Sequence, residues 1–237
     1  QHMYFPDIIA YFSLFRLKHP ILYVSIPVMA VLICGACTNL PFLSEFGRTA
    51  EFVISGQPDV PIQRAQIDKL PYASIRAKIG RSGRVIMVLG RYDGPDLHWI
   101  SADLVALVTR GGRLVKSAGL PENIKNTQFI DDDPVESGLN RLTESVLLRR
   151  TIDMEFENNY GMVVVSRIEP AGQESITILD RNYSTSVYRE HNIVEALNWE
   201  FVNYFWIDPA TGFVWKSRQH LTPSLPPVEI EILKPAS

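Results

Sequence analysis

From residue 72 onwards, the pattern of hydrophobic and polar positions is that of short strands. Residues 72–79 alternate strictly, with apolar side chains at every second position: Ala73, Ile75, Ala77 and Ile79. A period of two predicts a strand with one buried face. Further apolar segments occupy residues 85–89, 97–101, 105–109, 114–116, 146–157, 162–168, 175–179, 184–188, 196–207, 213–221 and 228–233. Turn residues separate them at short intervals. The pattern therefore predicts an all-β (β-dominated) fold, an antiparallel meander that forms a curved sheet or partly open barrel.

Two stretches lack this period. Asp59 can cap a short helix with Pro61 near its first turn, and Leu70-Pro71 ends it. Residues 119–142 show no period and contain Asp131-Asp132-Asp133-Pro134, which is ordinary solvated turn chemistry. We predict that they form a long surface crossing with one or two helical turns. The fold therefore includes a few short helices beside its strands.

Two adjacent glycines mark the clearest hairpin. Gly111 and Gly112 stand between Arg110 and Arg113, and apolar strand segments flank them on both sides. Glycine accepts the positive φ that two-residue hairpin turns require. The sequence therefore predicts a tight hairpin at this position.

A different apolar segment, residues 20–38, lies near the start of the chain. It follows Arg16 and Lys18, and it ends in Gly35-Ala36-Cys37. A basic flank, a short apolar run and small residues at a cleavage site are typical of a secretory signal. A cysteine directly after the small pair indicates a lipoprotein, because its thiolate is the nucleophile that accepts the lipid.

These features divide the chain into three predicted parts. Residues 1–36 are a lipoprotein signal peptide, residues 37–59 are a tether lipidated at Cys37, and residues 60–237 are a single β-rich domain. The alternative is an uncleaved membrane anchor. The apolar run is short for that role, since a spanning helix needs about 20 apolar residues, and Pro27 interrupts it.

Composition narrows the possible partners. Cleavage before Cys37 leaves 237 − 36 = 201 residues with 21 basic and 25 acidic side chains, a net charge of −4. Without a basic surplus, the sequence predicts no nucleic-acid partner. Cys37 is the one cysteine of the mature chain, so the sequence also predicts no internal disulfide.

Candidate catalytic groups are scattered along the chain. His98, His191 and His220 fall in different predicted strand regions, and none has a metal-type spacing. Paired carboxylates occur in turns or on one strand face: Asp93 with Asp96, Asp131 to Asp133, and Glu155 with Glu157. The sequence leaves open a Ser-His-Asp catalytic triad, because the members of a triad need not be close in sequence. We predict that the protein is not an enzyme and has no catalytic residue, metal or cofactor.

Four aromatic side chains are concentrated in the predicted hairpin of residues 196–221: Trp199, Tyr204, Trp206 and Trp215. Both faces of its first strand are largely apolar, which has two interpretations. In the first interpretation, one face of the strand belongs to the core, and a loop or helix covers the opposite face. In the second, an exposed aromatic strip binds a glycan or a partner protein.

Several blocks of the sequence resemble a known family. They include Leu70-Pro71-Tyr72-Ala73-Ser74, the run from Val108 to Lys116 with its paired glycines, and the ending with Trp199, the run from Tyr204 to Trp206 and a final Lys-Pro-Ala. The chain resembles the group 4 capsule polysaccharide lipoprotein family (GfcB/YjbF) over essentially all of its mature part. The resemblance implies an outer-membrane lipoprotein that faces the periplasm and assists production or export of an extracellular polysaccharide.

Two functions remain as hypotheses. The first is an accessory lipoprotein, held at the outer membrane by its N-terminal lipid, that binds or scaffolds polysaccharide or export-machinery proteins. The second is a periplasmic carrier, in which a half-barrel encloses an apolar cavity for a lipid or acyl chain. An aromatic-lined cavity would favour the carrier, whereas a filled core with an outward aromatic or basic groove would favour the accessory factor.

Overall fold

The structure is a computed structural model, and it describes residues 62–236. The predicted signal peptide, the predicted tether and Cys37 lie outside the described residues. Within the described range, the helices are too short and too polar to cross a membrane.

Twelve strands and two short α-helices account for most of residues 62–236. The helices are α1 (Arg64–Asp68) and α2 (Pro134–Ser137), and single 3-10 turns occur at Leu139–Arg141, Phe156–Asn158 and Glu195–Leu197. The strands are β1 (Ser74–Ile79), β2 (Val85–Asp93), β3 (Asp96–Ser101), β4 (Ala106–Arg110), β5 (Arg113–Ala118), β6 (Ile124–Phe129), β7 (Val146–Met154), β8 (Met162–Ile178), β9 (Arg181–Val194), β10 (Trp199–Ile207), β11 (Val214–Gln219) and β12 (Val228–Lys234).

All twelve strands belong to one antiparallel sheet. Their spatial order is β5-β4-β3-β2-β1-β12-β11-β10-β9-β8-β7-β6. Each pair of neighbouring strands in the sheet is therefore also consecutive in sequence, except that β1 pairs with β12 in the middle of the sheet. The predicted antiparallel meander is confirmed.

The two edge strands, β5 and β6, follow each other directly in the chain. Residues 119–123 connect them, and a connection of this length reaches at most about 20 Å. A flat sheet of this many strands would be roughly 50 Å wide. The sheet must therefore curl until its edges meet, and there Thr127 Oγ1 donates to the Val115 carbonyl (2.8 Å). The result is a nearly closed barrel, which confirms the predicted curvature.

Side chains fill the inside of the barrel. One apolar group comes from β1 to β6 and β12 and includes the fully buried Trp99, whose Nε1 donates to Thr109 Oγ1 (2.8 Å). A second group comes from β7 to β11 and surrounds Phe205, which is also fully buried. Alternation along each strand places these residues inwards.

A smaller apolar layer covers part of the outer wall. Ile67 of α1 packs with Ile178, near the tip of the β8–β9 hairpin, and with Leu233 of β12. Arg64 fixes this layer, because its guanidinium donates to Asp180 Oδ1 (3.0 Å) and to the carbonyl oxygens of Leu233 (2.9 Å) and Ile178 (3.1 Å). A short helix and a hairpin tip are thus held against the outside of the sheet.

Strands β6, β8 and β9 differ most from the sequence prediction. Strand β6 lies within the predicted surface crossing, because its polar side chains and a register shift between Ile124 and Asn126 hide the strand period. Strand β8 is continuous over 17 residues and β9 over 14, whereas the sequence pattern predicted three short segments here, at residues 162–168, 175–179 and 184–188. A bulge between Pro170 and Gly172 absorbs the proline without ending the pairing.

The predicted glycine hairpin is confirmed between β4 and β5. Gly111 has a φ of +59° and Gly112 a φ of +100°. The turn is also tightly packed, because a Cβ on Gly111 would lie 2.6 Å from the Cα of Glu136 and a Cβ on Gly112 would lie 2.6 Å from the Cβ of Val214. Conformation and contact both require glycine here.

Candidate functional site

The structure places the four aromatic candidates in different environments. Trp199 lies on the inner side of β10, where its ring stacks on Phe201 with 4.0 Å between centroids. Trp215 belongs to the outer apolar layer, and its ring centroid lies 4.2 Å from that of Tyr183. Both tryptophans are half-buried against apolar neighbours. For these two side chains, packing is the better interpretation.

Tyr204 and Trp206 form the outward face of β10. They alternate with the buried Phe205, and their ring centroids are 6.0 Å apart. Trp206 Nε1 donates to Glu174 Oε2 (2.7 Å), while Lys216 Nζ lies 5.0 Å from the centre of the Trp206 ring. That distance is within the range of a cation–π interaction. Trp206 also packs against the outer apolar layer that contains Trp215. The exposed parts of the two half-buried rings belong to a surface that also carries charge.

Cations flank Tyr204 on both neighbouring strands. Arg189 of β9 and Arg218 of β11 are its cross-strand partners. Arg189 Nη2 forms an ion pair with Glu169 Oε1 (2.5 Å), and this hydrogen bond holds the pKa of Glu169 below its ordinary value. Arg218 is exposed. An aromatic ring between two guanidinium groups offers both a stacking surface and donors for anionic groups.

Charges alternate across β11, β12 and β1 on the same outer wall. Two rows of cross-strand neighbours each run cation, anion, cation: Lys216, Glu231 and Arg76 in one, and Arg218, Glu229 and Lys78 in the other. Each row carries one more cation than anion. This wall is therefore locally basic, although the whole chain has a formal net charge of −3.

A cleft of about 810 Å³ lies on the outer wall and shares Arg76 with the first row. Parts of α1, the β8–β9 hairpin tip, β1 and β2 form its walls. Its lining residues are Ile62, Gln63, Arg64, Ala65, Arg76, Arg84, Ile86, Thr177, Leu179 and Asp180. Arg76 Nε donates to Glu231 Oε2 (2.7 Å), and its Nη2 contacts the same oxygen. The cleft thus combines three guanidinium groups with aliphatic side chains.

The barrel interior contains a buried ionic network that the sequence analysis did not identify. Arg113 binds two carboxylates, with Nε and Nη2 donating to Asp133 (2.8 and 2.9 Å) and Nη1 donating to Glu190 Oε2 (2.9 Å). Arg150 Nη1 lies 3.4 Å from Glu190 Oε1, and Asn203 Nδ2 donates to Glu190 Oε2 (2.9 Å). All four ionic side chains are buried. The interpretation of Asp131 to Asp133 as solvated turn residues is thus wrong for Asp133.

The network keeps its charges despite its burial. Burial raises the pKa of Glu190, but the charges of Arg113 and Arg150 outweigh this effect and lower the pKa to about 2. Burial also lowers the pKa of Arg150 to about 10, which still leaves it protonated at neutral pH. The strand period is a signal that could have revealed these residues. Arg150 alternates in phase with Leu148 and Ile152, so it had to point inwards.

Very little space remains beside the network. The void lined by Trp199, Phe201, Arg113, Arg150 and His220 has a volume of about 10 Å³. Such a space holds about one water molecule. The interior near the aromatic hairpin is therefore filled by protein side chains.

The remaining candidates of the sequence analysis stay apart. His98 lies in β3, His191 is exposed on β9, and His220 follows β11 with its pKa lowered by burial. No group of three or more His, Cys, Asp and Glu side chains within residues 62–236 is arranged to hold a metal ion. Asp96 is buried and pairs with Arg110 Nε (2.6 Å), whereas Asp93 is exposed. The structure does not bring these groups together into one site.

Comparison with known proteins agrees with the resemblance noted from the sequence. The family described as group 4 capsule polysaccharide lipoprotein gfcB, YjbF matches residues 47–233. The chain is 32% identical over 178 residues to lipoprotein GfcB of Escherichia coli (strain K12), covering 75% of this chain and 83% of GfcB. It is 24% identical over 204 residues to lipoprotein YjbF of the same strain, covering 86% of this chain and 92% of YjbF.

A solved structure shares the fold. The crystal structure of the hypothetical lipoprotein YmcC from Escherichia coli (K12) superposes with a TM-score of 0.68 at 27% identity, covering 85% of this chain and 99% of YmcC. The family match spans the sheet from β1 into β12. The chain therefore belongs to the group 4 capsule polysaccharide lipoprotein family (GfcB/YjbF).

Proposed function

We propose that this protein is an accessory factor in the production and export of a capsule or extracellular polysaccharide. It is anchored in the outer membrane through a lipid on Cys37 and faces the periplasm. There it binds or scaffolds the polysaccharide or the proteins that export it. The observation that carries this proposal is membership, over residues 47–233, of a family described by capsule polysaccharide and lipoprotein.

The outer wall supports a binding role. Tyr204 and Trp206 provide half-buried rings, and Arg189, Arg218 and Lys216 provide cations within the same three strands, β9 to β11. Sugars present apolar C–H faces and polar edges, so a surface that pairs rings with hydrogen-bond donors suits them. We expect the interaction to occur on this wall.

The interior gives less support to the alternative carrier function. A carrier needs a cavity long enough for an acyl chain, whereas the void beside Trp199 and Phe201 measures about 10 Å³. Four buried ionic side chains lie against that void or next to it: Arg113, Asp133, Arg150 and Glu190. An acyl chain placed there would break the hydrogen bonds and ion pairs of these side chains. Leaving buried charges without partners costs several kcal/mol or more of free energy. The accessory function is therefore the better proposal.

We also propose that the protein acts without catalysing a reaction. The described carboxylates and histidines form ion pairs, turns or isolated positions, and they do not converge on one pocket. The family description likewise names a lipoprotein of capsule polysaccharide and no reaction.

A deletion strain tests this function. We expect removal of the gene to lower the amount of secreted polysaccharide, and we expect the wild-type gene on a plasmid to restore it. A gene encoding Cys37→Ser should restore less, because the protein would no longer be anchored at the membrane. Undiminished polysaccharide in the deletion strain would contradict the proposal. Polymer cleavage by the purified protein would contradict its non-enzymatic part.

A further inference from the structure

We propose that the outer end of the β8–β9 hairpin binds an uncharged segment of a polysaccharide. The surface consists of a row of polar side chains on residues 170–186, which we call the β8–β9 arm, and of a groove beside this row. The inference rests on the proposed function and adds to it a place and a chemical class of ligand, a neutral sugar chain.

The arm extends beyond the strands on either side of it. Strand β7 pairs with β8 only as far as Ile168, and β10 pairs with β9 only as far as Ser186. Beyond these residues, no third strand of the described sheet lies beside β8 and β9. A bulge between Pro170 and Gly172 also bends β8 where the arm begins. The arm is therefore a two-stranded ribbon that leaves the barrel wall.

One face of the arm packs against the outer wall. Ile176, Ile178 and Tyr183 belong to the outer apolar layer. Trp206 Nε1 adds a hydrogen bond to Glu174 Oε2 (2.7 Å). A two-stranded hairpin alone is marginally stable, so these contacts hold the arm in place. The opposite face is presented to solvent in a fixed position, which lowers the cost of binding a ligand.

The solvent face carries an uncharged polar side chain at each position, and we call this row the polar ladder. Its members are cross-strand pairs, which share one face of a sheet: Gln173 with Ser186, Ser175 with Ser184, and Thr177 with Asn182. Ser186 is half-buried and the other five are exposed. The ladder spans four residues along β8, or about 13 Å, which is long enough to follow a sugar chain.

Most of the polar ladder is available to a ligand. Thr177 Oγ1 donates to Asn182 Oδ1 (2.7 Å). The other four side chains have no hydrogen-bond partner among the described residues: Gln173, Ser175, Ser184 and Ser186. Hydroxyl and amide groups both donate and accept hydrogen bonds, as the hydroxyl groups of a sugar do. Covering neutral groups also costs less free energy than covering charged ones.

A groove of about 260 Å³ adjoins the polar ladder. Its lining residues are Gln173, Glu174, Ser175, Ser184, Thr185 and Pro209. The volume lies just below the range of about 300–1,000 Å³ that is typical of sites for drug-sized ligands, so the groove suits a small unit such as a single sugar ring. Pro209 is exposed in the turn between β10 and β11. Its ring gives the C–H face of a sugar an apolar contact.

The charge of the groove favours a neutral ligand over an acidic one. Among the described lining residues, Glu174 is the one ionisable group, and none is a lysine or arginine. Asp208 precedes Pro209 and adds a second anion. Hydrogen bonds from the Thr211 and Ala210 amides hold the pKa of Asp208 below its ordinary value. An acidic sugar in the groove would therefore meet like charge.

Biolayer interferometry with the purified full-length protein in detergent tests the chemical class. The probe is the polysaccharide purified from the medium of the producing strain, used as isolated and after reduction of its carboxyl groups to alcohols. We expect both forms to bind with similar affinity. We also expect the affinity to stay constant as salt is added, because salt screens charged contacts only. Loss of binding on reduction, or a steep loss with salt, would overturn the neutral class.

Two paired substitutions test the location. The variant Ser175→Ala with Ser184→Ala removes two hydroxyl groups from the groove, and we expect it to bind the polymer roughly tenfold more weakly. The matched control is Ser137→Ala with Ser145→Ala, which removes two exposed hydroxyl groups outside the arm. Both variants should melt at the temperature of the parent protein. Equal binding by the two variants would overturn the assignment to the arm.

The deletion strain separates this inference from the proposed function. Lowered polysaccharide in that strain, together with no binding of the isolated polymer by the parent protein, would overturn the inference and leave the accessory function in place. Binding that is lost in the Ser175→Ala and Ser184→Ala variant supports the inference. If polysaccharide were undiminished in the deletion strain at the same time, the proposed function would be contradicted and the binding site would stand.

Discussion

The buried network offers the most direct test of how the barrel is held together. Glu190 is fully buried and accepts hydrogen bonds from Arg113, Asn192 and Asn203, with Arg150 also in contact. The substitution Glu190→Gln keeps the shape of the side chain but removes its charge. Two buried guanidinium groups would then share one carboxylate, that of Asp133.

Two independent arguments give the expected loss of stability. The pKa of Glu190 falls from its ordinary 4.5 to about 2 in the folded protein, and this difference corresponds to about 3 kcal/mol at neutral pH. Removing one partner of a buried ion pair typically costs about 3–5 kcal/mol. A domain of this size is stable by only about 5–15 kcal/mol. We therefore expect Glu190→Gln to lose roughly 3 kcal/mol.

Urea denaturation at pH 7 measures this loss. The matched control is Glu169→Gln, which removes the same charge from a partly exposed ion pair with Arg189 on the outer wall. Water screens a partly exposed pair far more than a fully buried one, so the control should lose much less stability than Glu190→Gln. A Glu190→Gln variant as stable as the Glu169→Gln variant would refute the reasoning.

The pH dependence gives a second check on the same residue. The folded-state pKa of Glu190 lies below its unfolded value, so its stabilising contribution is complete above about pH 4.5. That contribution is lost as the pH falls from 4.5 towards 2, because the unfolded state takes up the proton first. The amide that replaces this carboxylate in Glu190→Gln cannot titrate. The difference between parent protein and variant should therefore shrink over this interval, and a constant difference would contradict the assignment.

Three further predictions concern other parts of the chain. Gly111→Ala should lower the free energy of unfolding by about 1–3 kcal/mol more than Gly94→Ala does. Both glycines have a φ near +60°, but only at Gly111 would a Cβ press against backbone atoms. Equal melting temperatures of the two variants would contradict this. Tyr204→Ala should lower secreted polysaccharide without changing the melting temperature, whereas Tyr160→Ala, an exposed tyrosine elsewhere, should change neither; equal polysaccharide levels would count against the outer wall. Cys37→Ser should leave an unprocessed precursor without an acyl label, and normal processing on a gel would refute lipidation at this position.

The sequence was most informative where structure is local. Alternation over residues 72–79 and the glycine pair at Gly111 and Gly112 depend on neighbouring residues, so the strand and the hairpin could be read directly. Strand β6 could not be predicted from the sequence, because an edge strand with a bulge shows neither a clear period nor a continuous apolar run. Its pairing with β7 depends on the whole sheet.

The aromatic hairpin shows a second limit. The alternation of β10 separates Trp199 from Tyr204 and Trp206, and this separation is visible in the sequence. The sequence does not show which elements pack against each face of β10. On the outer face these are α1 and the β8–β9 tip, which are distant from β10 in sequence. The cleft is hidden for the same reason: Arg64, Arg84 and Asp180 meet only after three separate segments pack together.

The position of β1 beside β12 has a consequence for the time course of folding. Arg76 and Glu231, which pair across these strands, are separated by 155 positions in sequence. Contacts between residues this far apart in sequence slow folding. The chain loses conformational entropy when the long loop between them closes, and the stabilising contacts form only afterwards. As the chain emerges from its N-terminal end, β1 to β4 and β6 to β11 can pair with their sequence neighbours, but β1 keeps an open edge until β12 has emerged. A permuted chain that begins at β6, joins β12 to β1 by a short linker and ends at β5 would place every hydrogen-bonded strand pair next to each other in sequence. Such a permutant should reach the same sheet order, and it should do so faster than the natural chain.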